Sequence, residues 1–286
     1  MTGKGFKEGW MDVDADPRHY IHLLDVARGG REDDPAQYRN AFDTLRASEG
    51  GRVLDVGCGT GGAARALAAS FSEVEQVVGT DISETMIAEA RARTEESAAP
   101  VGFVLGDAHA LPFPDESFDA AYSLRVFEII GDPRRALSEM ARVLRPRGRL
   151  AVNGTDIDAW TIDSSYRDVT RRIIHYACDV ETNGWVGRQL PAWCKELGLT
   201  EVCVTPVGIV VTELGPLYEV CLKTFVENAA EAGAVTPEEA ARWVEDLHER
   251  DRHGQFFCSQ MLFRVSARKE SRQLAVGSRQ LKGRKV

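Results

Sequence analysis

Between about residues 50 and 155, short apolar runs of strand-forming residues alternate with longer segments whose apolar residues recur at helical spacing. Runs of this length predict buried strands, and the spaced segments predict amphipathic helices. Their alternation predicts a parallel sheet with helices packed on both faces. The predicted strands are residues 52–56, 77–81, 101–105, 118–124 and 149–154, and the predicted helices are residues 63–70, 84–96 and 133–144.

Outside this region the pattern is mostly helical. Thr236 with Glu239 three residues later is a capping box, which predicts the start of a helix. Residues 1–18 are expected to be flexible. A second helix before the first strand is predicted through Tyr38, Phe42 and Leu45. The remaining predicted elements are helices at residues 17–27, 165–178, 187–197, 216–232 and 237–252, and strands at residues 202–211 and 256–265.

These patterns divide the chain into three parts. Residues 1–48 are expected to form an N-terminal helical cap over a ligand cleft, although packing on the outside of the sheet fits the pattern equally well. Residues 49–268 are expected to form the main domain, with a helical insertion at about residues 213–252. Residues 269–286 are rich in Lys and Arg and are expected to be a basic flexible tail.

The composition of the 286 residues, 43% hydrophobic and 28% charged, is ordinary for a soluble globular protein. No apolar run is long enough to span a membrane, and the polar N-terminus does not resemble a secretory signal, so we expect a cytoplasmic protein. The net charge of −9 disfavours nucleic acid as a partner. The six cysteines form no C-x-x-C pair, which argues against a zinc site and against a disulfide framework.

The glycines that follow the first predicted strand indicate a ligand-binding loop, because glycine lets a ligand lie against the main chain and the next helix offers free N–H groups. Gly57, Gly59 and Gly62 match the G-x-G-x-x-G pattern of dinucleotide sites, with Asp81 at the distance expected of a ribose contact. Gly57, Gly59 and Gly61 equally form a G-x-G-x-G loop. Asp55, just before that loop, would repel a pyrophosphate and favours a ligand with a positive charge, such as a sulfonium.

Candidate ligand-binding side chains follow the other strands as well. Asp81 ends the second predicted strand, Asp107 follows the third, and Ser123 lies at the end of the fourth. In a parallel sheet the carboxyl ends of the strands share one edge, and ligands bind there. We therefore expect these residues to converge with Asp55 and the glycine loop.

A series of short motifs runs in order along roughly residues 50–155. These motifs are Val53-Leu54-Asp55-Val56-Gly57-Cys58-Gly59-Thr60-Gly61, Gly79-Thr80-Asp81-Ile82-Ser83, Gly106-Asp107-Ala108, Leu111-Pro112-Phe113-Pro114-Asp115, Ser117-Phe118-Asp119, Asp132-Pro133, Glu139-Met140 and Arg142-Val143-Leu144-Arg145-Pro146. A full set in this order resembles the class I S-adenosylmethionine-dependent methyltransferases, and within them the ubiquinone/menaquinone-biosynthesis-like small-molecule group. Arg147 departs from the resemblance, because the family commonly has Gly before Gly148.

The resemblance implies a Rossmann-like α/β fold: a doubly wound, seven-stranded, mostly parallel sheet whose last strand is antiparallel, with helical lid segments. It also implies bound S-adenosylmethionine. The glycines would approach the methionine part, Asp81 would hold both ribose hydroxyls, Ile82 would pack on the adenine, and Asp107 would accept from the adenine amine. The full set of cofactor-binding candidates is Asp55, Gly57, Cys58, Gly59, Gly61, Asp81, Ile82, Met86, Asp107, Ala108, Ser123, Leu124 and Arg125.

Candidates on the acceptor side are less well specified. A general base is needed only when the acceptor keeps its proton at neutral pH. His175 and Asp156 are the predicted catalytic residues, and Glu128 is a further possible base. His109 is expected at the surface, and no metal is predicted. The predicted substrate-binding residues are Tyr20, His22, Phe127 and Asp158.

The resulting hypothesis is a methyltransferase that transfers a methyl group in line to a small-molecule acceptor, with secondary metabolites as one acceptor class. One alternative is a methyltransferase fold that uses the cofactor as a scaffold for another reaction, such as cyclisation. The other is a nicotinamide-dependent oxidoreductase. We expect a monomer or homodimer with no nucleic-acid or membrane partner.

Overall fold

A computed structural model describes residues 6–27, Phe42, Leu45, and residues 51–71, 74–95 and 100–271. Its centre is one seven-stranded sheet in the order β3-β2-β1-β4-β5-β7-β6. Strands β1 to β5 pair in parallel, and β7 runs antiparallel to both of its neighbours, β5 and β6. This confirms the predicted fold. The strands are β1 Arg52–Val56, β2 Gln76–Asp81, β3 Val101–Leu105, β4 Phe118–Leu124, β5 Leu144–Ile162, β6 Thr200–Val211 and β7 Cys258–Arg268.

The helices lie on both faces of the sheet and beyond its edge. A 3₁₀ turn, Val13–Ala15, separates the first two helices, and π turns at Ala177–Glu181 and Tyr218–Leu222 extend two later ones. The capping box at Thr236 is confirmed. The helices are α1 Phe6–Met11, α2 Pro17–Ala27, α3 Gly62–Ser70, α4 Glu84–Glu95, α5 Pro133–Val143, α6 Arg167–Tyr176, α7 Val186–Glu196, α8 Leu214–Leu217, α9 Lys223–Glu231 and α10 Pro237–Arg252.

Alternate residues of the parallel strands enter two separate cores. Val53 of β1 packs in the core under α3 and α4, whereas Leu54 packs in the core under α5 and α7. Both side chains are fully buried, as expected for strands covered on both faces. A third core, around Phe225 and Trp243, joins α6 to α8, α9 and α10 beyond the sheet.

Strand β5 is much longer than the predicted residues 149–154. It extends to Ile162 because β7 continues to pair with it there, with Ile162 opposite Cys258. The predicted helix over residues 216–232 is interrupted by the π turn. The local apolar pattern does not predict either difference, because strand pairing and tertiary packing are long-range effects. The extension of β5 carries Thr155 and Trp160 past the carboxyl end of β4, where they help to form a cavity.

The expectation that residues 1–18 are flexible is wrong for the part that the structure describes. Helix α1 is held by aromatic contacts, because the Phe6 ring lies 5.0 Å from that of Phe225 and the Trp10 ring lies 4.9 Å from that of Tyr20. The predicted second helix lies outside the described residues except for Phe42 and Leu45, which are buried. Most of the predicted basic tail, residues 272–286, also lies outside them.

Candidate active site

A cleft of about 820 Å³, open solvent at its mouth included, lies at the carboxyl ends of β1, β2, β3 and β4. Of the residues predicted to converge from the strand ends, Asp81, Asp107 and two glycines of the loop line this cleft. Four of the cofactor candidates, Asp55, Cys58, Gly61 and Ser123, do not line the cleft. The candidates that do line it are Gly57, Gly59, Asp81, Ile82, Met86, Asp107, Ala108, Leu124 and Arg125.

The glycine loop is tied to the end of β2 by backbone hydrogen bonds. The N–H groups of Gly57 and Cys58 both donate to the carbonyl of Thr80, at 2.8 and 3.0 Å. Gly57 has φ +75°, and a Cβ there would lie 2.4 Å from a methyl carbon of Val126. A side chain at this position would be strained and would clash with Val126, so this turn of the loop requires glycine.

Backbone hydrogen bonds anchor both carboxylate oxygens of Asp81 at the edge of the cleft. Its Oδ2 accepts from the N–H of Gly59 at 2.9 Å, and its Oδ1 accepts from the N–H of Ser83 at 3.0 Å. Each carboxylate oxygen retains capacity for a further donor. Burial raises the pKa of Asp81, and the backbone N–H donors oppose that effect.

Asp107 is fixed by His109, which the sequence placed at the surface. The structure corrects that prediction, because His109 lines the cleft. Its backbone N–H and its Nδ1 lie 2.8 and 2.7 Å from Asp107 Oδ1, and its Nε2 accepts from the N–H of Asp132 at 3.0 Å. Burial alone would raise the pKa of Asp107, but the hydrogen bonds from His109 and the charge of Arg135 outweigh it and lower the pKa. Asp107 is therefore held as an ionised acceptor.

The N-terminal segment closes one side of the cleft through Trp10, Met11, Val13 and Leu24. It is fastened to the start of α4 by Asp14, which accepts from the Ser83 hydroxyl at 2.6 Å and from two backbone N–H groups. Burial would raise the pKa of Asp14, but these hydrogen bonds lower it.

At the other end of α4, Arg93 forms an ion pair with Asp25 at 2.9 Å. These two attachments, at Asp14 and at Asp25, are named the clasp below.

A second cavity of about 850 Å³, again with open solvent included, shares the lining residue Arg125 with the first. Arg125 follows β4 and has φ +63°, a strained conformation of the kind that clusters at functional sites. The second cavity is named the side chamber below. Its walls are mostly apolar, and the polar residues that line it are Arg125, Glu128, Thr155, Thr182 and Gln260.

Glu128 is the buried acid of the side chamber, with 7% of its surface exposed. Its Oε1 accepts from the Thr155 hydroxyl at 2.8 Å and lies 3.6 Å from Arg125 Nε. Its Oε2 is buried and has no hydrogen-bond partner among the described residues. Burial raises the pKa of Glu128, while Arg125 and the Thr155 hydrogen bond oppose that effect.

The predicted catalytic residues lie elsewhere. His175 is 60% exposed in its side chain, and its Nε2 lies 3.5 Å from Asp158 Oδ1. Asp156 is buried in an ion pair with Arg188, whose Nη2 donates to it at 2.7 Å and to Asp158 at 3.0 Å. None of His175, Asp156 and Asp158 is among the described residues that line either cavity.

The other predicted substrate contacts lie outside both linings too. His22 is exposed and lies 3.5 Å from Glu219, whereas Tyr20 packs on Trp10. Phe127 is fully buried in the core under α5 and α7. Sequence patterns missed Trp10 and Trp160, because only tertiary packing brings these residues to a cavity.

Within the described ranges, no group of three or more His, Cys, Asp or Glu side chains could hold a metal ion. In the same ranges, no helix has the length and apolar character needed to cross a membrane.

The sequence of this chain is similar to a known family and to several known proteins. Residues 54–152 match the family described as Methyltransferase domain. The chain is 36% identical over 228 residues to the Uncharacterized 37.1 kDa protein in transposon TN4556 of Streptomyces fradiae, covering 79% of this chain and 65% of that one. It is 40% identical over 116 residues to the ubiquinone/menaquinone biosynthesis C-methyltransferase UbiE of Geobacter sulfurreducens, covering 40% and 45%. The matches therefore span less than two thirds of these two relatives.

A further relative is matched over more of its length. The chain is 31% identical over 193 residues to methyltransferase GfsG of Streptomyces halstedii, covering 65% of this chain and 68% of that one.

Two solved structures share the fold. The Haemonchus contortus phosphoethanolamine N-methyltransferase 2, in complex with S-adenosyl-L-methionine, superposes with a TM-score of 0.58 at 20% identity, covering 94% of this chain and 61% of that one. The [4+2]-cyclase SpnF superposes with a TM-score of 0.56 at 21% identity, covering 95% and 98%. At this identity the likeness shows the fold alone.

Proposed function

Since this chain belongs to the class I S-adenosylmethionine-dependent methyltransferases, we propose that it binds S-adenosylmethionine in the first cleft and methylates a small-molecule acceptor held in the side chamber. The observation that carries this proposal is that Arg125 lines both cavities, so they lie next to each other. A donor site and an acceptor site must be neighbours if a methyl group is to pass directly between them.

The residues of the first cleft fit the proposed donor. Asp81 would accept from both ribose hydroxyls, since each of its oxygens already holds one backbone donor and has room for another. Asp107, kept ionised by His109, would accept from the adenine amine, and Ile82 would cover the ring. Gly57 and Gly59 would leave space for the methionine part. When bound, S-adenosylmethionine supplies an activated methyl group on a sulfonium.

The remaining work of the protein is to orient the acceptor and to exclude water. The N-terminal segment contributes Trp10 to the wall of the cleft and Phe6 to that of the side chamber, so one segment covers both. Orientation in a closed site can contribute several kcal/mol to the lowering of the barrier. Loss of this cover should therefore reduce turnover even if every residue at the strand ends is intact.

Cyclisation with the cofactor as a scaffold stays open as a second candidate, because a cyclase shares the fold over almost the whole chain. The nicotinamide hypothesis is not retained, since the family membership favours a sulfonium ligand.

The test uses the purified full chain with S-adenosylmethionine that carries a labelled methyl group, incubated with small-molecule acceptors that contain hydroxyl, amine or activated carbon groups. Transfer of label to an acceptor is expected. Tight cofactor binding with a changed acceptor skeleton and no transferred label would instead favour cyclisation. Absence of cofactor binding would contradict both candidates.

A further inference from the structure

The side chamber combines a mostly apolar wall with two buried polar atoms that have no hydrogen-bond partner among the described residues. These atoms are Glu128 Oε2, an acceptor when the carboxyl is ionised, and Trp160 Nε1, which is only a donor. Buried polar groups are nearly always satisfied by protein, water or ligand. Because Glu128 and Trp160 both line this cavity, a bound molecule that carries both a donor and an acceptor would satisfy both atoms.

The apolar part of the wall restricts that ligand further. Phe6, Ile157, Leu217 and Phe225 contribute to it, and the Phe6 and Trp160 rings lie near Phe225, with the ring of Trp160 6.3 Å away. A chamber of this kind excludes small, highly charged acceptors, because its few polar groups cannot replace the hydrogen bonds that such acceptors make to water. It suits a largely apolar molecule with a small number of oxygen functions.

We infer that the acceptor is a largely apolar, hydroxyl-bearing molecule, and that Glu128 is the catalytic residue that takes the proton from this hydroxyl. The inference rests on the proposed methyltransferase function. The hydroxyl would donate to Glu128 Oε2, and a second oxygen of the acceptor would accept from Trp160 Nε1.

The step balances without any further reagent. The O–H bond of the acceptor breaks and its proton goes to the Glu128 carboxylate, while the acceptor oxygen forms a bond to the methyl carbon. The electron pair of the broken carbon–sulfur bond stays on sulfur, which leaves as a neutral thioether. Glu128 then releases the proton to water once the products leave.

Other groups in the side chamber are poorer bases. Arg125 is the charged residue of the lining besides Glu128, and it cannot accept a proton. Cys221 is the titratable thiol of the lining, and its burial raises its pKa to about 12, so it stays protonated at neutral pH. The predicted base Asp156 is held by Arg188 outside the chamber. Burial makes Glu128 a stronger base, since it raises the pKa of the carboxyl.

The experiment compares E128Q and E128D with E245Q in the full chain. Gln has nearly the shape of Glu and can still accept from Thr155, but it cannot take a proton. Glu245 is 70% exposed in its side chain and lies outside both cavity linings, so E245Q removes the same charge without touching the site. The acceptor probes are a hydroxyflavone, a hydroxyanthraquinone and a hydroxysteroid, each paired with its amine and its O-methyl counterpart.

Affinity for S-adenosylhomocysteine is measured first by calorimetry, because its absence would overturn the proposed function rather than this inference. With affinity equal in all variants, methylation is expected on hydroxyl probes and not on their O-methyl counterparts. E128Q should lower kcat by at least about 100-fold, E128D by less, and E245Q should match the natural chain. The natural chain's kcat should rise with pH through the titration of Glu128, and E128Q should lose this rise.

Three results would overturn the inference. The first is cofactor binding by the natural chain without methylation of any hydroxyl probe. The second is methylation of the amine probes alone. The third is an E128Q variant whose kcat and pH profile equal those of E245Q.

Discussion

At the residue scale, burial of Glu128 affects folding as well as chemistry. Because its pKa is raised in the folded chain, the folded state holds a proton at pH values where the unfolded state has lost it. The stabilisation that this proton gives the folded state is therefore fully present below the ordinary Glu pKa of 4.5. It is lost as the pH rises through the raised pKa of Glu128. We predict that E128Q has a higher free energy of unfolding than the natural chain at pH 8, with a smaller difference at pH 4.

Urea unfolding of the two proteins at both pH values checks this prediction. E245Q serves as the control, since its side chain is exposed. A difference between E128Q and the natural chain that does not change with pH would show that the Glu128 carboxyl is not destabilised by burial.

Arg147 offers a second test at this scale. It has φ +72°, in the left-handed region where non-glycine residues are strained by roughly 1–2 kcal/mol. Its backbone N–H and carbonyl bond Lys269 and Arg268, and these contacts do not need the side chain. We predict that Arg147→Gly raises the free energy of unfolding by up to about 1 kcal/mol, part of the gain being lost to the entropy of glycine. Arg147→Ala keeps the strain and should not be stabilising in the same denaturant titration.

Most residues predicted to bind the cofactor line the cleft, because they follow strands directly. Asp81 and Asp107 were found in this way, and both line the cleft. The residues that line the side chamber could not be predicted in this way, since they come from distant parts of the chain. Glu128 was only one of several possible bases in the sequence, and its burial beside Thr155 depends on the pairing of β4 with β5.

At the scale of elements, the clasp links the N-terminal segment to the cofactor cleft. Asp14 caps α4 directly after Asp81 and Ile82, so its loss should loosen both the helix start and the wall of the cleft. We predict that Asp14→Ala lowers stability by about 1 kcal/mol. We also predict that it weakens S-adenosylhomocysteine binding by several-fold, measured by calorimetry.

Thr236→Ala is the matched control for this prediction. Thr236 caps α10 through its capping box and lines neither cavity, so the variant should lose similar stability and keep its affinity. Equal affinity in both variants would show that the N-terminal segment does not contribute to cofactor binding.

The element boundaries show where local pattern suffices. Strand β4 and helix α10 match their predicted ranges because their apolar spacing and end signals are local. Strand β5 and the π turn at Tyr218–Leu222 do not, because long-range pairing and packing decide them. Helix α1 was missed because it has only six residues and is held in part by the tertiary contact of Phe6 with Phe225.

At the scale of the whole molecule, Arg125 lines two cavities that different parts of the chain form. The parallel sheet supplies the first cleft at its strand ends, whereas the side chamber lies between the extension of β5 and the segment from Pro216 to Phe225. Methyltransfer would therefore depend on parts of the chain that lie far apart in sequence. Sequence patterns locate the sheet edge, but the chamber exists only in the folded molecule.

The central claim is that the first cleft binds S-adenosylmethionine through Asp81, and calorimetry with S-adenosylhomocysteine tests it most directly. Asp81→Ala removes two charge-assisted hydrogen bonds, so the dissociation constant should rise by at least about 100-fold. The circular dichroism spectrum should stay that of the natural chain. Asp168→Ala, which removes an acid whose side chain is 83% exposed, should leave affinity unchanged. An Asp81→Ala variant that binds as tightly as the natural chain would contradict the account.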